Sequence, residues 1–333
     1  MNGPKMLEKQ NLNEQTVGPS QVKVRVTHVL LTVYDANVFS GTIKIAYPKT
    51  IGRVAIGIVT QTGDNCYGVK EGARVYIGAV RPCGKCYACR SGDRSECTSP
   101  KVAGNHFNGF LRDFIVCDYT DVSVIPDSVD DLSALCIEFV ALAENIYDKL
   151  NLSTGSNVAI VGGGFFGSVL AQIALYHKLV PIVIDNYTQN VERLKKSGVF
   201  FTFPADDSLI DNIKSATSGN MCDAAIYTSS CKLSATVPAS VLARKKDLVI
   251  AGFSAVNFAL DATPLFEKNL RLYCVSDGLG YTEGAINMIV HGALDLSHFQ
   301  KEILKDFDPA TLITELNEKA MMSSKMTVLK LIL

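Results

Sequence analysis

The sequence predicts an α/β protein in which a doubly wound parallel sheet is joined to a smaller β-barrel or sandwich domain. Three observations carry that expectation. Up to about Asp130, short strand-like runs are separated by Gly-rich turns such as Thr62-Gly63-Asp64-Asn65. From Asn157 onward, short apolar runs alternate with helical stretches, the pattern of a parallel sheet. The chain has 333 residues, enough for two domains that each bury a core, with a cleft expected between them.

Residues 21–35, QVKVRVTHVLLTVYD, alternate apolar and polar side chains and then become continuously apolar, as a strand entering a core does. Further strands are predicted at 57–60, 74–77 and 112–117, with a cysteine-rich excursion at 82–100 between them. A helical segment rich in Ala and Leu runs from about 130 to 150. The parallel sheet then follows as strands 157–161, 181–185, 199–204, 223–227, 247–251 and 270–275, with helical stretches such as 188–197 between them. One or two helices and a last apolar strand, 326–333, are expected to return the chain to the first domain.

Composition narrows the partners. Forty-seven per cent hydrophobic and 20% charged residues is ordinary globular usage. The longest apolar stretch, 132–143, carries Glu138 and falls short of the roughly 20 residues a membrane span needs. Residues 1–17 are polar and lack the apolar core of a signal peptide, so the expected location is the cytoplasm. The 32 basic and 33 acidic residues nearly cancel and form no basic stripe, which leaves a small molecule, rather than nucleic acid or a membrane, as the expected partner. Ten cysteines in such a chain read as thiols or metal ligands before disulfides.

The run 157–161 leads into Gly162-Gly163-Gly164-Phe165-Phe166-Gly167 and then the helical SVLAQIALYH. A G-x-G-x-x-G between a strand and a helix is the dinucleotide-binding fingerprint of a Rossmann sheet. Gly162 makes the tight turn, Gly164 lets the backbone approach a pyrophosphate, and Gly167 allows close helix–strand packing, with Phe166 at the start of the helix. About 20 residues on, Asp185 ends the next strand, where a carboxylate accepts the adenosine ribose hydroxyls and repels a 2′-phosphate, favouring NAD over NADP. Thr228 and Gly252, at the ends of later strands, are placed along the same cofactor path.

Cys83-x2-Cys86-x2-Cys89-x7-Cys97 puts four thiolates in one excursion, which suits a closed tetrahedral zinc site with no position open for chemistry. Unmetallated thiols or an iron–sulfur cluster are the alternatives, although the ferredoxin run has a shorter last gap and a Pro after its final Cys, where this chain has Thr98. The other six cysteines, Cys117, Cys136 and Cys274 among them, lie in apolar contexts and read as small core residues.

These motifs in this order, joined by Ile137-Glu138-Phe139-Val140-Ala141, resemble the medium-chain dehydrogenase/reductase superfamily, the zinc alcohol dehydrogenase-like proteins of sorbitol and threonine dehydrogenase type. Val69-Lys70-Glu71-Gly72-Ala73-Arg74-Val75 looks like that family's F-x-x-G-D-R-V turn, and Asn108-Gly109-Phe110 like its D-G-G-F segment. The resemblance implies a GroES-like catalytic domain over 1–140 with the zinc lobe at 82–100, a Rossmann domain over 141–280 and a returning segment over 281–333. It also implies NAD(H)-linked oxidoreductase activity on a small carbonyl, alcohol or conjugated acceptor, one structural zinc per chain, and a homodimer or homotetramer.

The resemblance breaks at the catalytic metal. Against the family's C-x-x-D, Thr32 stands at the cysteine and Asp35 at the aspartate; Gly52-Arg53-Val54 replaces its G-H-E, and Glu138 remains at its carboxylate position. Arginine stays charged and cannot ligate zinc. His28, His177, His291 and His298 read as structural; His106, before the loop that approaches the cleft in this family, suits a loop histidine or a substrate contact equally.

The residues then support Arg53 as a cation held by Glu138 and Asp35 that polarises a substrate, or alternatively as half of an ion pair plugging an abandoned metal site. Tyr34, on the strand, stands where the family keeps its hydroxyl relay and is the candidate general acid, or a core residue. Two other functions stay open: a non-catalytic NADH-binding protein, and a polyol or alcohol dehydrogenase holding zinc through atypical ligands.

Overall fold

Along Gln21–Leu31, the first strand (β1), burial alternates until His28, from which every residue is covered. The change follows from its neighbours, because β1 is the most heavily paired strand of its sheet. Val54–Thr62 (β2) runs antiparallel to nearly all of it, and Phe114–Asp118 (β6) pairs with its start. The strand expected to reach Asp35 stops at Leu31. Thr32 caps a helix, Val33–Ser40 (α1), through a reciprocal bond pattern with Asp35, so Tyr34 is helical, a correction to its expected place on a strand. The computed structural model describes residues 1–11, 16–228, 233–234, 236–252, 260–305, 307–321 and 325–331.

Between β2 and β6 come Arg74–Ile77 (β3), Val80–Arg81 (β4), the short helix Tyr87–Arg90 (α2) and Lys101–Val102 (β5). Beyond β6, Val122–Val124 (β7) pairs with β3. The helical segment expected over 130–150 is two helices, Asp131–Ala134 (α3) and Ile137–Leu150 (α4), with a break at Leu135 and Cys136. Asp130 caps the first of them by accepting from the backbone of Leu132 and Ser133.

The parallel strands are Asn157–Val161 (β8), Val180–Ile184 (β9), Phe201–Phe203 (β10), Cys222–Thr228 (β11), Leu242–Ala251 (β12) and Arg271–Val275 (β13). The helices between them are Phe165–Tyr176 (α5), Thr188–Lys196 (α6), Leu209–Ala216 (α7), Val237–Ser240 (α8) and Thr263–Lys268 (α9). The sheet order is β10-β9-β8-β11-β12-β13, so the chain reverses its direction of winding on either side of β8. The Gly-rich loop leaves β8 at that switch point, the position at which doubly wound sheets bind ligands. Ala159, Val161, Ile182, Ile184, Ala225 and Tyr227 fill one face of these strands without exposed area worth counting.

After β13 come Thr282–Val290 (α10), Lys301–Leu304 (β14), Pro309–Met321 (α11) and Met326–Lys330 (β15). β15 returns antiparallel to His28–Leu31 of β1, giving the order β14-β15-β1-β2-β3-β7 with β6 also on β1. Residues 332 and 333 of the last expected strand lie outside the described residues.

By internal contacts the chain divides into two units: Met1–Glu138 with Leu279–His291 and Gln300–Leu333, and Phe139–Gly278 with Gly292–Phe299. Cys117, Cys136 and Cys222 are buried as expected of core thiols, whereas Cys274 is exposed and Cys66 half-buried. The correction for Cys274 is geometric, since β13 ends the row of described strands and has a neighbour on one side only. Cys231 lies outside the described residues.

Candidate functional site

Arg53, 1% exposed, is the largest fully buried side chain among the described residues. Such a cation must have partners. Its Nη2 donates to Glu138 Oε1 at 3.0 Å, and its guanidinium lies over the Tyr34 ring, 5.0 Å from the centroid. The other oxygen of Glu138 accepts the Tyr76 hydroxyl. Asp35 reaches Arg53 by another route: its Oδ1 accepts the backbone N–H groups of Gly52 and Arg53 at 3.0 and 3.1 Å. Its Oδ2 accepts the N–H and hydroxyl of Thr32 at 2.9 and 2.7 Å. Gly52 has φ +93°, and a Cβ there would stand 2.8 Å from the Leu111 nitrogen, so glycine is required for this approach.

Burial dominates the titration of this cluster. It raises the Tyr34 phenol above its ordinary value, against the pull of Arg53, and so keeps the proton on the oxygen at neutral pH. It raises Asp35 as well, opposed by the bonds from Thr32 and Gly52 and by the charge of Arg53. Tyr76 is raised well above its ordinary value by burial and then by Glu138, so it keeps its proton and donates it to that carboxylate, while its oxygen accepts the Ala79 N–H at 3.5 Å. The Tyr34 oxygen is buried, and Asn105 approaches it without reaching a normal hydrogen bond. A buried donor with a retained proton and no settled acceptor can serve an incoming oxygen.

The Gly-rich loop forms a second cluster. Gly162 turns at φ +102°, Gly164 is the extended N-cap of α5 with no side chain capping the helix, and a Cβ on Gly167 would collide with the Gly162 carbonyl. The first N–H groups of a 12-residue helix are thereby left to an anion. Phe166 is buried in its first turn, its ring 6.1 Å from Phe139. Asp185 Oδ2 accepts from Gly163 N at 2.6 Å and from Asn190 Nδ2 at 2.9 Å, and Oδ1 from Tyr187 N at 2.7 Å. Thr228 donates to the Val161 carbonyl at 3.0 Å, beside the start of the loop, and Gly252 closes β12 by bonding to Val275 O at 3.2 Å.

Cys83, Cys86, Cys89 and Cys97 bring their sulfurs within 4.8 Å of one another. Zn–S bonds of about 2.3 Å set the edges of an S4 tetrahedron at about 3.8 Å. The Cys83–Cys89 and Cys86–Cys97 separations are both 4.0 Å, so the donor set fits the metal with little movement. Backbone N–H groups of Cys89 and Thr98 lower the Cys86 thiol to about 6, which favours the thiolate a metal requires.

No other group of three metal-ligating side chains occurs among the described residues. Four of the five histidines have local duties: His28 meets Thr27 and Asp131, His177 pairs with Glu144 at 2.6 Å, His291 bonds Asn287 O, and His106 accepts from Val102 N. The structure brings Tyr34, Asp35, Arg53 and Glu138 together, and separately the glycines with Asp185. Sequence reasoning missed Tyr76, whose place opposite Glu138 depends on the β3 register, and the inward residues Asn190 and Arg193 of α6. A period of three in that helix was the available signal.

A β-domain with a four-thiol lobe and a parallel sheet with a dinucleotide-type loop define the class of zinc alcohol dehydrogenase-like folds. Residues 18–127 match the family of the alcohol dehydrogenase GroES-like domain. An uncharacterized zinc-type alcohol dehydrogenase-like protein of Haemophilus influenzae is 24% identical over 302 residues, 90% of this chain and 88% of that one. The starvation-sensing protein RspB of Escherichia coli is 28% identical over 246 residues, 72% and 71% of the two chains. Among solved structures, an Escherichia coli CFT073 alcohol dehydrogenase (rspB) complexed with NADH has a TM-score of 0.85 at 22% identity, covering 98% of this chain and 96% of that one. Galactitol-1-phosphate dehydrogenase from Escherichia coli has 0.86 at 16%, covering 99% and 98%. Over residues 18–127 the chain is thus similar to the alcohol dehydrogenase GroES-like family, and over most of its length to zinc-type alcohol dehydrogenase-like proteins, in line with the resemblance to the medium-chain dehydrogenase/reductase superfamily.

Proposed function

We propose that the protein is an NAD(H)-dependent oxidoreductase acting on a small carbonyl, alcohol or conjugated acceptor, in which Arg53 and Tyr34 replace a catalytic zinc. The observation that supports this most directly is the buried Arg53–Glu138 pair where the family resemblance expects metal ligands, alongside an intact Gly-rich cradle and four-thiol lobe. Bound NADH supplies a hydride. The uncapped start of α5 suits its pyrophosphate, and the remaining lone pair of Asp185 Oδ1 suits a ribose hydroxyl, with Thr228 and Gly252 along the same edge of the sheet. The four cysteines hold a structural zinc that takes no part in the reaction.

Tyr34 Oη gives its proton to the substrate oxygen as negative charge develops there. The O–H bond breaks, the new bond forms on the substrate, and the phenolate left behind lies beside the Arg53 guanidinium, which lowers the cost of that charge. Glu138 fixes Arg53, and Tyr76 fixes Glu138. Because Glu138 already neutralises Arg53, the site suits a neutral electrophile such as a conjugated carbonyl better than a phosphorylated or carboxylated polyol.

Three measurements test the reading together: NADH fluorescence titration, zinc content per chain, and NADH oxidation over a panel of enals, enones and simple aldehydes. The expected result is binding, one zinc, and turnover that Arg53→Ala abolishes while NADH affinity stays within a few fold. NADH binding without turnover on any acceptor makes the chain a nucleotide-binding protein; two zincs per chain restore a metal-dependent dehydrogenase.

A further inference from the structure

Helix α6, TQNVERLKK, is mostly polar, yet Asn190 and Arg193 are buried along with Leu194. Their spacing of three and four puts them on one face, and that face covers the Gly163 peptide. A Cβ on Gly163 would stand 2.8 Å from Leu194 Cδ1 and 3.2 Å from Asp185 Oδ2, so the loop is pressed closely against the helix. The peptide is held at both ends. Its N–H donates to Asp185, which Asn190 also holds. Its carbonyl accepts Arg193 Nη2 at 2.6 Å and the Ser168 hydroxyl at 3.2 Å, while Arg193 also donates to that hydroxyl at 3.0 Å.

Arg193 is 8% exposed, and its Nε is buried without a hydrogen-bond partner. Among the described residues no carboxylate reaches salt-bridge distance from it, although Asp185 contributes at longer range. The Phe299 ring, 5.4 Å away, is its other neighbour. Burial pulls its pKa down from the ordinary value, but a guanidinium stays protonated. A buried cation without an ion-pair partner is strongly unfavourable by itself. Arg53 solves the same problem with Glu138; Arg193 has no such solution among the described residues.

We propose that Arg193 is a positioning residue and counter-charge for the pyrophosphate of the nucleotide, acting through the Gly163 peptide. This rests on the NAD(H) reading given above. The guanidinium fixes the carbonyl away from the anion, aims the following N–H groups of α5 at it, and supplies a positive charge that Asp185 offsets only at a distance and a bound pyrophosphate would balance. The ligand class it serves is therefore the dinucleotides and nucleoside diphosphates, and not nucleosides.

The test compares the wild-type protein with Arg193→Gln, which keeps one donor and loses the charge, and Arg193→Lys, which keeps the charge. Affinities are measured by calorimetry for NADH, ADP-ribose and adenosine. Arg193→Gln is expected to weaken NADH and ADP-ribose at least tenfold and to leave adenosine within twofold; Arg193→Lys is expected to stay within threefold for all three. Equal loss of adenosine would show general damage and overturn the proposal. So would NADH affinity within twofold in Arg193→Gln, or a tenfold loss in Arg193→Lys. Should Arg193→Gln fail to fold, the lysine variant alone decides by the same limits. If the wild-type protein binds neither NADH nor ADP-ribose, the NAD(H) reading itself falls.

Discussion

Replacing Tyr34 by Phe separates chemistry from stability at one atom. The phenol is 5% exposed, and its oxygen is buried without a normal hydrogen bond. A buried unsatisfied polar group costs about 1–3 kcal/mol, and the approach of Asn105 places this one at the low end. The ring stays over Arg53 in the variant, so the cation–π contact survives. The variant is therefore expected to gain about 1 kcal/mol in stability, seen as a raised urea midpoint followed by circular dichroism, since the chain has no Trp. Its turnover with NADH is expected to fall by about 10²–10⁴, the usual share of a general acid. A destabilised variant means that the hydroxyl has a structural partner. Turnover within threefold of wild type means that it gives no proton. Either result refutes the assignment.

The Arg53–Glu138 pair should behave as a coupled unit: Arg53→Met alone is expected to cost about 3–5 kcal/mol by stranding a buried carboxylate, and adding Glu138→Gln to recover at least half. Additive losses in urea unfolding would show that the two do not interact. Zinc content is expected to drop from one per chain to none in Cys97→Ser, with the fold of the lobe lost as judged by proteolysis of 82–100; retained zinc would remove Cys97 from the ligand set. The hydrogen bond that His177 Nε2 donates to the Glu144 carboxylate, opposed by burial, raises the His177 pKa above its ordinary 6.5. The stabilisation is then full below 6.5 and lost as pH rises through the higher folded value. Glu144→Gln should lower the NMR pKa of His177 and flatten that pH dependence, which for so exposed a pair amounts to no more than about 1 kcal/mol; an unchanged pKa contradicts the pairing.

Much of the fold was legible because its signals are local. The run 157–161, the glycines after it and Asp185 encode strand, turn and next strand end within thirty or so residues, and the structure joins them through the bond from Gly163 N to Asp185. The Cys83 to Cys97 spacing is equally self-contained. Residues 32–35 were misread for a physical reason. Thr32-Val33-Tyr34-Asp35 continues an apolar, β-branched run, and its helical state depends on one threonine hydroxyl and one carboxylate closing a cap. Tyr76 was invisible because its partner lies 62 positions away and the β3 register that aims it is a tertiary fact. Arg193 had a local pattern, but five charged or amide neighbours in α6 made the helix look wholly solvated.

Thr32 constrains how a reactive metal could be introduced beside Asp35 and Arg53. The position that would have to become a thiolate now starts a helix, and its hydroxyl both donates to Asp35 and accepts from it. A cysteine there would forfeit a cap worth about 1 kcal/mol before any ligand partner existed, since position 53 would still carry a guanidinium. Installing a metal site must therefore pass through intermediates that have lost one arrangement without gaining the other.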